Sequence, residues 1–189
     1  MDLHYWRVLA VAGLAVGLPM AHADDAEIVY YDVAGNSAEE LRHQMDSKGP
    51  FGESGKRLDG HTDWKVTWSY QYAPAADGCR FTELGITVSA TITLPRWTAG
   101  DHASNALLKK WQSYIASLRV HEDGHYSHGV EAAAEIKSLG QSFHTPDGCS
   151  IFAKDFNDKV ASIIEKYRAA DAAYDADTKH GRTQGAIFP

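Results

Sequence analysis

Apolar side chains recur at every third or fourth position along two stretches in the second half of the chain. One stretch covers residues 102–139 and the other covers 151–178, and a loop with glycine and proline separates them at 140–150. Residues three and four apart lie on the same side of an α-helix, so this spacing is typical of a helix with one apolar face. The sequence therefore predicts two long amphipathic helices.

The first half of the chain has the patterns of β-strands. Residues 64–72 alternate aromatic or apolar side chains with polar ones, and residues 27–33 and 81–94 are rich in β-formers such as Val, Ile, Thr and Tyr. Alternation with a period of two indicates a strand with one buried face, and Pro95 is expected to end the last strand. These elements predict an α+β fold in which a small antiparallel sheet packs against the two long helices.

The chain begins with the pattern of an export signal. Arg7 is followed by an apolar run of about 13 residues and then by Ala21-His22-Ala23, which matches the small-x-small rule for cleavage. The run is shorter than the roughly 20 residues that span a bilayer, and no second apolar run follows it. We therefore expect a signal peptide at 1–23 and one exported domain at 24–189, periplasmic or secreted, without stable membrane insertion.

The net charge bears on which partners the protein can bind, and the cysteine content bears on whether it forms a disulfide. The formal net charge is −7 and there is no cluster of Lys or Arg, so the sequence lacks the basic surface that nucleic acids require. Cys79 and Cys149 are the only cysteines. An even count in an exported protein favours a disulfide between them over free or metal-bound thiols.

The segment His121-Glu122-Asp123-Gly124-His125 lies within the first predicted helix. Histidines four apart can present two imidazole nitrogens to one zinc ion from the same helix face. Glu122 adjoins the first ligand, where a carboxylate can accept a proton from water and return it to a leaving amine. The alternative is a pair of surface histidines beside an ordinary glutamate. The helix face points inward, where unpartnered histidines are costly, and this favours the metal site.

A catalytic zinc site needs a third protein ligand, and three other histidines are candidates. His128 is seven residues from His121, about 10.5 Å along the helix, so one ion can hardly bind both; we expect His128 to line the cleft or to face solvent. His144 lies in the loop between the helices, and His180 follows the second helix. If that helix returns antiparallel to the first, residues near 165 reach the motif, which does not favour His180.

Several blocks of the sequence resemble one known family. They are Gly35-Asn36-Ser37, Gly49-Pro50, the strand at 64–72, Cys79, Leu94-Pro95-Arg96-Trp97, His121-Glu122-x-x-His125, Cys149 and Tyr174-Asp175-x-x-Thr178-x-His180-Gly181. With these blocks the chain resembles the bacterial predicted secreted zinc-dependent proteases of Domain of Unknown Function 922. The resemblance implies His121, His125 and His180 as ligands and Glu122 as general base, with Tyr174 or Asp175 in support.

Supporting roles are open to residues near the end of the second helix. Tyr174 can donate a hydrogen bond to the oxyanion of a tetrahedral intermediate, or it can be one more buried aromatic residue. Asp175 or Asp177 can accept a hydrogen bond from the second nitrogen of a ligand histidine. Aspartates near a helix end are more often only solvated.

We interpret the chain as a zincin-like hydrolase that holds one Zn²⁺ and cleaves an amide bond in a peptide or a related substrate. One alternative is a noncatalytic domain that uses the same ligands to pin its helices or to bind a partner. Glu122 argues against it, since a structural zinc site does not need a general base. The other alternative is a metal-free module whose aromatic strand binds peptide or glycan through Trp64, Trp68, Tyr70 and Tyr72, although core packing explains these residues more simply.

Overall fold

The computed structural model of the chain describes residues 26–52, 55–99 and 102–189. The predicted signal peptide at 1–23 lies outside these residues. The elements in chain order are β1 (Glu27–Val33), α1 (Ala38–Lys48), β2 (His61–Ala75), β3 (Gly78–Trp97), α2 (Asn105–Ser142), β4 (His144–Thr145), α3 (Phe152–Thr178) and a 3₁₀ turn (Arg182–Gln184). The mixed α and β content is confirmed. None of these helices has an apolar stretch that would span a bilayer.

The sheet is mixed, which corrects the prediction of a purely antiparallel sheet. Its strand order is β1-β3-β2, and the short β4 pairs with β3. β2 and β3 form a long antiparallel hairpin with Trp64 opposite Ala90, whereas β1 runs parallel to β3 with Glu27 opposite Thr91. The chain between β1 and β3 contains α1 and all of β2, and a connection of this length allows the two strands to point the same way.

β3 continues past Pro95, where the sequence predicts its end. The pairing with β2 stops at His61, opposite Thr93, so the last residues of β3 pair with β1 alone and have one open edge. Proline lacks a backbone donor, and such an edge tolerates the loss. β3 therefore extends to Trp97.

The buried face of α2 follows the predicted spacing. It consists of Leu107, Trp111, Tyr114, Leu118, His121, Glu122, His125, Gly129, Ala132 and Ile136. The apolar residues before the motif belong to a core cluster with β1, α1 and the end of the chain, and those after it belong to a cluster with β2 and α3. Each large apolar side chain buried there stabilises the fold by roughly 1.5–3 kcal/mol. The motif lies where the two clusters meet.

α3 lies beside α2 and runs in the opposite direction. Phe152 at its start contacts Phe143, which follows α2, whereas Asp171 near its end hydrogen-bonds to His125. The motif is therefore level with residue 171, and the prediction that it is level with residue 165 is wrong. α2 runs to residue 142 instead of 139, so α3 needs more turns to return to the motif.

One disulfide ties the sheet to the loop between α2 and α3. Cys79 at the start of β3 is bonded to Cys149, and their Cα atoms are 5.0 Å apart. The predicted pairing is confirmed, and a disulfide is consistent with export to an oxidising compartment. The bond closes a loop with a sequence separation of 70, which restricts the unfolded chain and stabilises the fold by roughly 4 kcal/mol in the chain-entropy account.

Candidate metal centre

The histidines and the glutamate of the motif point into the protein from one face of α2. His121 and Glu122 are each 3% exposed, and His125 is 9% exposed. Polar side chains this deeply buried need hydrogen-bond partners, because an unpaired buried polar group costs free energy. The partners come from β2, from α3 and from the end of the chain.

Three atoms of the kind that bind metals converge beside the motif. The Nε2 atoms of His121 and His125 are 3.3 Å apart. The Oδ1 atom of Asp175, on α3, lies 3.1 Å from the Nε2 atom of His121 and 3.3 Å from that of His125. Among the residues that the structure describes, these three side chains form a group that could share one metal ion.

The spacing of the three atoms fits a tetrahedral zinc ion. Zinc binds imidazole nitrogen and carboxylate oxygen at about 2.0–2.1 Å, which places two ligands of a tetrahedron about 3.3–3.4 Å apart. The separations of 3.1 and 3.3 Å agree with this value to within a few tenths of an ångström. The donor set therefore fits zinc in its chemistry and in its spacing.

The second nitrogen of each histidine is held by a hydrogen bond. Nδ1 of His121 donates to Oε1 of Gln184 at 3.0 Å, and Nδ1 of His125 donates to Oδ1 of Asp171 at 3.0 Å. A neutral imidazole with its proton on Nδ1 has a free lone pair on Nε2. These two partners therefore orient both Nε2 atoms as ligands directed towards Asp175.

Asp171 also connects the motif to β2 and to the next histidine of the helix. It accepts hydrogen bonds from Nε1 of Trp64 at 2.6 Å and from Nδ1 of His128 at 2.6 Å. His125, His128 and Asp171 form a second group with atoms close enough for a metal. Both histidines present Nδ1 to the same carboxylate, so we interpret these contacts as hydrogen bonds that orient the rings.

Glu122 lies against β2 on the same face of α2 as the two histidines. Its Oε2 accepts a hydrogen bond from the Thr62 hydroxyl at 2.8 Å, and a Cβ atom at Gly60 would lie 2.6 Å from Oε1. Burial raises the pKa of the Glu122 carboxyl above its usual value, although the hydrogen bond from Thr62 and the neighbouring histidines oppose the shift. A carboxyl group with a raised pKa holds a transferred proton more readily than a solvated glutamate does.

A cavity of about 440 Å³ opens beside the motif. The residues that line it lie at the start of β2 or in the segment between α1 and β2 (Gly52, Leu58, Gly60, His61, Thr62), on α2 (Glu122, His125), and on or just after α3 (Arg168, Asp171, Ala172, Asp175, Ala176, His180). Glu122, His125 and Asp175 therefore face one space. A cavity of this size can admit part of a substrate and bring it to the converging atoms.

The carboxylates around the histidines favour a positive charge at this place. Burial would lower the pKa of His125, but hydrogen bonds to Asp171 and Asp175 raise it to about 9. Burial would raise the pKa of Asp175, but hydrogen bonds to His121 and His125 lower it well below its usual range. In the metal-free chain His125 is therefore protonated at neutral pH. A metal ion must displace that proton, so its binding weakens as the pH falls.

Of three other residues predicted for the site, the structure places one beside His121, His125 and Asp175 and two away from them. His180 borders the cavity with an exposed side chain, and its Nδ1 lies 3.2 Å from Oδ1 of Asp175. It is outside the group of three. His144 pairs with β3 beyond the far end of α2, about 25 Å from the motif by helix length. Asp177 is exposed near the end of α3.

Tyr174 packs on the motif helix and does not line the cavity. Its ring stacks on His121, with centroids 5.0 Å apart and an interplanar angle of 13°. Its hydroxyl accepts a hydrogen bond from Nε2 of Gln184 at 2.9 Å. Gly124 admits this ring, since a Cβ atom there would lie 2.3 Å from the hydroxyl oxygen. These contacts favour Tyr174 as a packing residue over a donor to an oxyanion.

Sequence reasoning missed Asp171, Thr62 and Gln184. Asp171 lies four residues before Asp175, so the two carboxylates share one face of α3, and this spacing is a signal that the sequence contains. Thr62 is a polar residue at a buried position of β2, in phase with Trp64, which is a weaker signal. Gln184 has no local signal, because its place depends on the turn after α3.

A protein family matches most of the chain. The model of the family described as "Bacterial protein of unknown function (DUF922)" matches residues 28–181. The chain belongs to this family. The matched residues of this DUF922 protein include the motif, Asp171, Asp175 and His180, and they end before Gln184. No match was found among curated proteins or among solved structures. The description of DUF922 assigns no activity, so a function has to be argued from the site.

Proposed function

We propose that this protein is a zinc-dependent hydrolase that cleaves amide bonds in peptides or related substrates. The observation that carries the proposal is the convergence of Nε2 of His121, Nε2 of His125 and Oδ1 of Asp175 within 3.3 Å of one another. A buried glutamate and a cavity adjoin them. Catalytic zinc sites use three protein ligands of this kind, whereas structural sites use four.

In this proposal His121, His125 and Asp175 hold the ion. Three protein ligands leave a fourth position for water or substrate, and the cavity between β2 and α3 gives access to it. When bound, zinc supplies a Lewis acid that makes water nucleophilic near neutral pH and polarises a carbonyl group. The side chains at the inner end of the cavity, Thr62, Glu122 and His125, are buried, and burial strengthens the charge interactions among them.

Asp175 replaces His180 as the proposed third ligand. Its carboxylate is fixed on a regular turn of α3, with Oδ1 within 3.3 Å of both imidazole nitrogens. His180 lies two residues beyond the end of α3, and its own φ is 52°. Its exposed ring contacts the same carboxylate. We assign His180 the role of an outer partner that orients Asp175.

Glu122 is the proposed general base. The hydroxyl of Thr62 holds its carboxyl group in one orientation, and its raised pKa matches the task of a group that first accepts and then donates a proton. Glu122 takes a proton from the attacking water and delivers it to the nitrogen of the broken amide, so that the amine leaves neutral. His121 and His125 keep their Nδ1 protons, because Gln184 and Asp171 accept hydrogen bonds from these N–H groups.

Two features favour catalysis over a noncatalytic zinc site with the same ligands. A structural site has no use for a buried carboxyl group such as Glu122, whose burial costs free energy. A structural site is also closed by four protein ligands, whereas this one adjoins a cavity of about 440 Å³.

The aromatic residues of β2 give little support to a metal-free binding module. Trp64 is buried, Trp68 donates to Oδ1 of Asn157 at 3.0 Å, and Tyr70 packs edge-on against Phe156. These side chains join β2 to α3. Core packing accounts for them.

The wider proposal is an exported enzyme of zincin-like architecture that acts in the periplasm or outside the cell. The disulfide between Cys79 and Cys149 supports an oxidising compartment. Peptides and cell-wall cross-links both contain the amide bond that this site would cleave. The net charge of −7 gives no reason to include nucleic acid among the substrates.

Removal and return of the metal test the proposal. We expect the full chain to cleave members of a library of peptides and cell-wall fragments, with products identified by mass spectrometry. A strong chelator should abolish this cleavage, and one equivalent of Zn²⁺ should restore it, whereas Mg²⁺ should not, since magnesium prefers oxygen ligands. Cleavage that survives complete removal of metal would contradict the proposal, as would a zinc-loaded protein that cleaves neither class of substrate.

A further inference from the structure

The C-terminal tail, residues 182–189, folds back against α2 beyond the end of the DUF922 match. Its 3₁₀ turn ends at Gln184. Phe188 is buried against Trp111 and Tyr114, with ring centroids 5.3 and 5.0 Å apart. Since a buried aromatic residue anchors it to the core, the tail has a fixed position beside the motif.

Both polar atoms of the Gln184 amide make hydrogen bonds to residues of the candidate metal centre. Oε1 accepts a hydrogen bond from Nδ1 of His121 at 3.0 Å, and Nε2 donates to the hydroxyl of Tyr174 at 2.9 Å. Tyr174 in turn stacks on the imidazole of His121. The ring of His121 is therefore held at its edge by the amide and on its face by the phenol.

The turn before the tail brings the backbone up to the same ring. Gly181 has a φ of 77°, which glycine adopts without strain, and a Cβ atom there would lie 3.0 Å from Cγ of His121. The hydroxyl of Thr178 is 3.5 Å from Nδ1 of His121, at the limit of a hydrogen bond. Gln184 is therefore the main acceptor for the Nδ1 proton.

We propose that Gln184 is a positioning residue for the metal ligand His121, and this inference rests on the proposed zinc site. The amide oxygen keeps the proton on Nδ1 and so presents Nε2 to the ion, as Asp171 does for His125. Gln184 belongs to the tail, whereas Asp171 belongs to α3. Docking of the tail and binding of zinc therefore reinforce each other, since coupling between two binding events is reciprocal.

Zinc affinity of matched variants of the full chain tests this role. Gln184→Met removes the acceptor at similar volume and should raise the Kd for Zn²⁺ by about 10–100-fold, the usual effect of losing an outer partner. Gln184→Glu keeps an acceptor and should stay near the wild-type Kd. Arg182→Ala, in the same turn with an exposed side chain, is the control and should leave the Kd unchanged. Competition with a chelator of known affinity gives each Kd, with Zn²⁺ alone as the probe.

A purely structural role for Gln184 predicts a different pattern. In that case the metal-free variants would unfold at a lower midpoint temperature than the wild type. The Kd for Zn²⁺ would be the same in Gln184→Met and in Gln184→Glu. Equal zinc affinity in wild type and Gln184→Met would overturn the inference and leave the proposed function standing. Wild-type protein that binds no zinc would overturn both. If Gln184→Met does not fold, Gln184→Asn, one methylene shorter, removes the same contact and should show the same loss of affinity.

Discussion

Replacement of Glu122 by glutamine should remove nearly all hydrolysis and leave the zinc in place. Glutamine keeps the size of the side chain and can still accept the hydrogen bond from Thr62, but it cannot take a proton from water. Loss of a general base lowers kcat by about 10²–10⁴-fold. The three proposed ligands are unchanged, so zinc per chain should equal that of the wild type. Both quantities are measured on the same preparations, with a peptide that the wild type cleaves.

Glu131→Gln is the matched control for this variant, because Glu131 lies on the same helix with an exposed side chain. It should change neither kcat nor zinc content. If Glu122→Gln cleaves the peptide at the wild-type rate, Glu122 is not the general base. In a noncatalytic zinc domain Glu122→Gln would leave every measured property unchanged.

Asp175→Ala should lose zinc, and His180→Ala should keep it. Loss of an outer partner already weakens metal binding by about 10–100-fold, so loss of a direct ligand should raise the Kd by more than about 100-fold. Oδ1 of Asp175 lies within 3.3 Å of both Nε2 atoms, whereas the side chain of His180 is 66% exposed and its Nδ1 lies 3.2 Å from Oδ1 of Asp175. Because its side chain is largely exposed, His180→Ala should raise the Kd by about 10-fold, the lower end of the range for an outer partner.

Asp177→Ala controls for the loss of one negative charge near the end of α3, since Asp177 is exposed two residues beyond Asp175. Its Kd for zinc should match the wild type. The opposite ranking, with zinc lost in His180→Ala and kept in Asp175→Ala, would assign the third ligand to His180, as the family resemblance implies. Chelator competition at constant pH provides all of these values.

Local sequence patterns predict where the helices and strands of this fold lie better than they predict how these elements are arranged. The spacing of apolar residues places α2 and α3 within a few residues of their observed ends, because each position depends on its neighbours three and four residues away. Strand direction depends on what each strand pairs with. The parallel pairing of β1 with β3 and the passage of β3 through Pro95 therefore escaped prediction.

The same division between local and distant information applies to the metal centre. His121, Glu122 and His125 are recognisable because one turn of a helix brings them together. The proposed third ligand and outer partners come from residues 46 to 63 positions away, and their identity depends on where α3 crosses the motif. An error of a few residues in the predicted end of α2 is enough to place that crossing at residue 165, whereas the structure has it at residue 171.

Metal analysis of the purified wild-type chain is the most direct test of the central claim that His121, His125 and Asp175 bind zinc. The protein should be purified without added metal, and its zinc and concentration should be determined by elemental mass spectrometry and amino-acid analysis. We expect about one zinc ion per chain, since two imidazoles and a carboxylate spaced for a tetrahedron bind zinc tightly. A folded, disulfide-bonded chain that contains no zinc, and takes up none when Zn²⁺ is added, would contradict the account.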